Sequence, residues 1–262
     1  MMAVAEGIVG SVAAPVAIQI EPDKPGTAQA DRFLRDAGLA SQLQPYRSRP
    51  RANKQTTDIV ARAFAADPSS AQRKLRAAFL GDAPIAQSVT DWIDARFAAA
   101  RDARKVLVWV RDAMHHPRRN TMFEELVALS ERARCAGLVP VLIGDALREG
   151  RVPEGAIDLI HFWKDAAFQQ ADTRRAQLQL FEHMKNAHGV VGQLGVTTAG
   201  MDGPALMGLA TIYLTDATNN RMGAWVGRVP GYREVVRGSG YLDRISALMS
   251  EWATPPRRLT PA

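Results

Sequence analysis

The chain has 262 residues, enough for one large domain or two small ones with a sizeable buried core. Hydrophobic residues make up 47% and charged residues 23%, an ordinary globular balance, and the longest apolar runs, residues 106–110 and 138–144, are far too short to cross a bilayer, so no membrane span is expected. The net charge of +6 is spread along a chain that also holds 27 acidic residues, which argues against a polybasic nucleic-acid tail and leaves arginines for phosphate recognition.

Residues 1–30 are rich in Ala, Gly and Pro, with a short strand expected at 16–20. Residues 31–37, 56–66, 69–80 and 88–100 carry apolar side chains at three-to-four spacing and are expected as helices. Asp67-Pro68-Ser69-Ser70 and Gly81-Asp82-Ala83-Pro84 mark boundaries between them. The basic segment 46–54 has prolines nearby and no periodicity, so it is expected as a loop or strand edge.

From residue 105 the pattern changes. Val-Leu-Val-Trp-Val at 106–110 is continuously apolar, as a strand buried on both faces requires. Further strands are expected at 138–143, 157–162, 189–192 and 211–214, and helices at 121–136, 171–187, 204–208 and 241–252. Alternation with short connections predicts right-handed crossovers and a mostly parallel, Rossmann-like α/β sheet behind a smaller, largely helical N-terminal part. The expected divisions are 1–104, 105–252 and a frayed tail at 253–262. The single cysteine, Cys135, cannot form an internal disulfide and fits a reducing compartment, either the cytoplasm or a target cell receiving the chain as an effector. It is expected as a small buried side chain on its helix.

In an open parallel sheet, ligands bind beyond the C-terminal strand ends. The strongest signal is the stretch 192–206, where a strand runs into Thr197 and Thr198, then Gly200, Asp202 and Gly203, then a helix with Pro204 expected at its first position and Asp202 or Gly203 at its cap. Free N–H groups and hydroxyls there suit a diphosphate, though a tightly packed connection needs the same glycines. Arg111 follows the first buried strand, where a guanidinium can grip phosphate oxygens, with Arg118 and Arg119 nearby. His115 and His116 are adjacent and precede a proline, so no metal site is assigned. Phe162 and Trp163 end the third strand, where an aromatic either stacks on a base or joins the core; Arg175 and Gln179 lie one turn apart on a helix. Asp216 and Arg221 belong to a long polar stretch after the fifth strand.

This order resembles the donor-binding half of GT-B glycosyltransferases, with fucosyltransferase-like branches nearest, over roughly residues 105–236. Arg111, Phe162-Trp163 and the run from Thr197 to Leu214 carry the resemblance. It implies transfer of a sugar from a nucleoside diphosphate sugar to an unspecified acceptor, with no obligatory metal and no further cofactor. Departing phosphate charge would meet Arg111, Thr197, Thr198 and the amides near Gly203. The family's catalytic base has no match, and Asp112, Glu124 and Asp216 are unranked candidates for it. The part before residue 105 is short and helical for an acceptor domain. Two other readings stand beside this one: a nucleotide- or phosphosugar-binding protein without transferase activity, and a basic nucleic-acid or partner-binding module using residues 46–54.

Overall fold

The computed structural model describes residues 52–112, 117–147, 150–168, 173–196, 198–217 and 222–253, with scattered positions between 19 and 45. The strand expected at 16–20 and the helix expected at 31–37 fall largely outside them, as do residues 46–51 and the tail beyond Ala253.

Three helices precede the sheet: α1 (Ala52–Ala66), α2 (Pro68–Leu80) and α3 (Gln87–Phe97). The sequence sets the ends of α2 directly. The Asp67 carboxylate accepts a 2.9 Å bond from the Ser70 amide, Pro68 opens the first turn, and Gly81 at φ 64° closes the last. The start of α1 at Ala52 makes the last three residues of the basic segment helical rather than loop.

The remaining elements alternate. In chain order they are β1 (Lys105–Val110), α4 (Phe123–Cys135), β2 (Val139–Gly144), β3 (Ile157–Asp158), α5 (Thr173–Ala187), β4 (Val190–Val196), α6 (Asp202–Leu206), β5 (Ala210–Thr215), β6 (Tyr232–Val236) and α7 (Tyr241–Ala253). The six strands are all parallel and lie in the order β3-β2-β1-β4-β5-β6, a doubly wound Rossmann-like α/β sheet.

Several boundaries differ from those expected. The strand expected at 189–192 continues to Val196, and the one expected at 157–162 is two residues long before the chain turns. Phe162–Lys164 forms a 3-10 turn, entered through His161 at φ 53°. β6 was not expected. A 3-10 turn, Ala199–Met201, runs straight into α6, so Pro204 is the third helical residue and Asp202 the first. Cys135 is exposed at the end of α4 rather than buried.

The strands sort their side chains by parity, because successive Cβ atoms point to opposite faces. Val106, Val108 and Val110 of β1 pack with Leu126, Leu129, Ile245 and Met249 of α4 and α7. Leu107 and Trp109 pack with Val89, Ile93 and Phe97 of α3 and with Phe181 and Met184 of α5. Val60, Phe64 and Leu75 of α1 and α2 share a core with Tyr213 and Tyr232 of β5 and β6. Each such side chain taken fully from water contributes about 1.5–3 kcal/mol. The helices before β1 thus cover one face of the sheet.

Candidate functional site at the strand-order reversal

β1 has β2 on one side and β4 on the other, so the strand order reverses there. After β1 the chain leaves to α4 on one face; after β4 it leaves to α6, which packs against α5 and α2 on the other. The two loops part, and a crevice opens beyond the strand ends. A cleft of about 560 Å³ occupies it, within the range of small-molecule sites.

Its apolar side is built from Phe79 of α2, Trp109 of β1, Phe162 and Trp163 of the turn after β3, and Leu178 and Phe181 of α5. Trp109 is held in place. Its indole N–H donates 2.8 Å to Oε1 of Gln193, and the Gln193 amide donates 2.8 Å to the Met201 carbonyl and 2.9 Å to Thr211 Oγ1. Gln193 is fully buried, and its bonds fix the loop after β4 against the ring. A Cβ at Gly195 or Gly200 would collide with Trp109, and one at Gly203 with Leu178. Glycine at these positions therefore serves close packing inside the cleft wall.

The polar side is formed by Asp145, Gln177, Thr198 and the backbone at Gly144, Gly200 and Gly203. Asp145 is the charged residue among the described lining. It stands immediately after β2, where Gly144 takes φ 112° and a Cβ would strike the Val110 carbonyl. The Asp145 carboxylate accepts a 3.0 Å bond from the Asp112 amide. The Asp112 carboxylate in turn accepts 3.1 Å from Asn120 Nδ2, and Asn120 Oδ1 accepts 3.0 Å from Arg111. This stitched loop orients Asp145. The Gly200 amide makes only a long 3.5 Å contact with Thr198 Oγ1.

Of the residues expected at the site, Trp163, Thr198, Gly200 and Gly203 line the cleft. Thr197 and Arg221 lie outside the described residues, as do His115 and His116. Arg111 stands behind the lining with its guanidinium on Asn120, and burial lowers its pKa, followed by repulsion from Arg119, with Asp145 opposing. Asp112 sits in that same loop. Asp202 opens α6 and is not among the lining residues. Arg175 packs against Gly81, and Gln179 donates 3.0 and 2.7 Å bonds to the Leu80 and Ala83 carbonyls, so both fasten the link between α2 and α3 to α5. Glu124 is exposed on the first turn of α4. Asp216 accepts a 2.7 Å bond from Arg237 beyond β5 and β6. Asp145, Gln177 and Phe79 were not anticipated; the apolar run ending in Gly144-Asp145 was the signal for the first of them.

Among the described residues, no helix is long and apolar enough to cross a membrane. Comparison with protein-family models, with curated proteins and with solved structures returns no match to this chain.

Proposed function

We propose that the cleft binds a nucleoside diphosphate sugar and that the chain transfers the sugar to an acceptor. The observation that carries the binding reading is the cleft at the reversal of strand order with Asp145 at the end of β2. A carboxylate there is placed to accept hydrogen bonds from ribose hydroxyls, the role an acidic residue near the second strand plays in dinucleotide-binding sheets. Trp163 offers a ring for the base. Thr198 and the Gly200 amide offer donors to phosphate oxygens.

A second reading, binding without transfer, is favoured by one observation: Asp112, Glu124 and Asp216 do not line the cleft. Asp145 is then the described carboxylate able to meet either ribose or an acceptor hydroxyl.

Calorimetry and thermal shift with UDP, GDP, dTDP and ADP, then sugar release from the matching donor, separate these readings. One diphosphate is expected to bind saturably, adding about 2.7 kcal/mol at one hundred times its dissociation constant. Asp145→Asn is expected to weaken it at least tenfold, raising KM while sparing kcat. If Asp145 instead takes the acceptor proton, kcat falls by about 10²–10⁴ and diphosphate affinity holds. Binding with no sugar release establishes the second reading. Absence of binding by every nucleotide, or binding indifferent to both Asp145→Asn and Thr198→Val, overturns both.

A further inference from the structure

We propose that Asp94, His183 and His188 form a binding site for a first-row transition-metal ion, with zinc the best fit. The three come from separate places in the chain. Asp94 lies on α3, His183 on α5, and His188 in the short link between α5 and β4. Their ligand atoms all lie within 4.8 Å of one another. Asp94 Oδ1 is 2.9 Å from His188 Nε2 and 3.9 Å from His183 Nε2. A tetrahedral ion with bonds of about 2.0–2.1 Å holds its ligand atoms about 3.3 Å apart, so side-chain adjustments of an ångström or less seat one here.

The nitrogens themselves point to a ligand. His183 Nε2 and His188 Nε2 are both buried; His188 Nε2 meets the Asp94 carboxylate at 2.9 Å, while His183 Nε2 has no hydrogen-bond partner. The orphaned buried nitrogen of His183 costs stability that coordination would recover. The rings are already fixed: their centroids lie 5.1 Å apart at 72°, and Phe97 packs edge-on to His188 at 5.3 Å. The nearby Lys105 ammonium donates 2.9 Å to the His188 carbonyl and 2.8 Å to that of Ala103, so main-chain oxygens hold it.

Two imidazoles with one carboxylate suit zinc, cobalt, nickel or copper and do not suit magnesium or calcium, which take oxygen ligands. The Asp94 side chain is 51% exposed while that of His188 is 9% exposed, so the cluster is open to solvent on its carboxylate side. The site also stands apart from the cleft. His188 precedes β4 and Thr198 follows it, and seven residues of strand separate the two by about 20 Å. A metal here would tie α3 and α5 to the start of β4 and take no part in chemistry at the other end.

The test is competition for one equivalent of zinc between the full chain and a chromophoric chelator, with thermal midpoints measured alongside. Wild type is expected to bind one ion and to gain in midpoint. Asp94→Ala and His188→Ala are each expected to weaken binding at least tenfold, and the His183→Ala/His188→Ala variant to lose it together with the midpoint gain. Cobalt should show the visible ligand-field bands of a four-coordinate centre. Circular dichroism checks each fold, and His183→Gln replaces any alanine variant that does not fold. Lack of stoichiometric zinc binding, or zinc retained by the double-histidine variant, overturns the site.

Discussion

Gln193 is the residue on which the shape of the cleft turns. Its buried amide satisfies Trp109 on β1, Thr211 on β5 and the Met201 carbonyl at once. Gln193→Leu keeps the volume and removes all three partners, leaving a buried indole N–H and a buried carbonyl unmatched. A loss of about 2–5 kcal/mol is expected, read as a lower urea midpoint with unchanged slope and accompanied by a shift in tryptophan emission. A loss below about 1 kcal/mol would show that water replaces the amide. The residue types of this region were legible in the sequence, but their directions were not. Gly200 reads as a place where backbone meets phosphate, and the space beside it is filled by Trp109. Gly192 reads as the last residue of a short strand; a Cβ there would collide with Trp252 and one at Gly195 with Trp109, so both sit inside a longer strand that needs them bare. Arg111 carries the right charge at the end of the right strand, yet its orientation depends on Asn120, nine residues away on the next turn.

Among the elements, those buried on both faces were the most legible. β1 and β2 are continuous apolar runs, and α2 announces both of its ends. β6 escaped because an edge strand buries only part of itself: Tyr232 and Val235 are inward while Arg233 is exposed and Glu234 half-buried, a mixed pattern that reads as loop. Its C-terminal end helps to build a cluster the sequence does not show. Arg237, just after β6, donates to Glu125 of α4 at 3.1 Å and to Asp216 beyond β5 at 2.7 Å, and the Tyr241 hydroxyl of α7 donates to Glu125 at 3.2 Å. Burial raises the Glu125 pKa above its ordinary 4.5, and the opposing pull of Arg237 and Tyr241 does not cancel it. The folded state therefore holds this proton more tightly than the unfolded chain. Its contribution to stability is full below the unfolded value and is lost as pH rises through the raised one. Urea unfolding of wild type and Glu125→Gln between about pH 4 and pH 7 is expected to show wild type losing stability relative to the variant as pH rises. The opposite slope would mean that the ion pair with Arg237 outweighs the burial of the carboxylate.

At the scale of the whole molecule, the alternation of elements was enough to predict a parallel sheet with helices on both faces, because only that architecture buries continuous apolar strands. It did not predict the cleft's occupants, since Phe79 comes from α2 and Leu178 and Phe181 from α5, and only their packing brings them to one rim. The metal triad was hidden for the same reason: His183 and His188 are five apart, a spacing that no single helical face presents, and Asp94 is almost ninety positions earlier. The sheet separates the two proposed sites, with the cleft beyond its C-terminal edge and the triad at the start of β4. No described side chain is shared between them. Sites so placed are expected to act independently on stability, since effects more than about 7–10 Å apart add within roughly 0.3–0.5 kcal/mol. Zinc and the bound diphosphate, each at a fixed multiple of its dissociation constant, should therefore raise the unfolding free energy by the sum of their separate effects. At the ligand concentrations set for wild type, Asp94→Ala should lower the zinc increment by about 1.4 kcal/mol or more and leave the diphosphate increment intact, and Asp145→Asn should do the reverse. A cross-effect in denaturant titrations of these two variants larger than about 0.5 kcal/mol would require the core along β4, with Gln193 at its centre, to transmit strain from one edge of the sheet to the other.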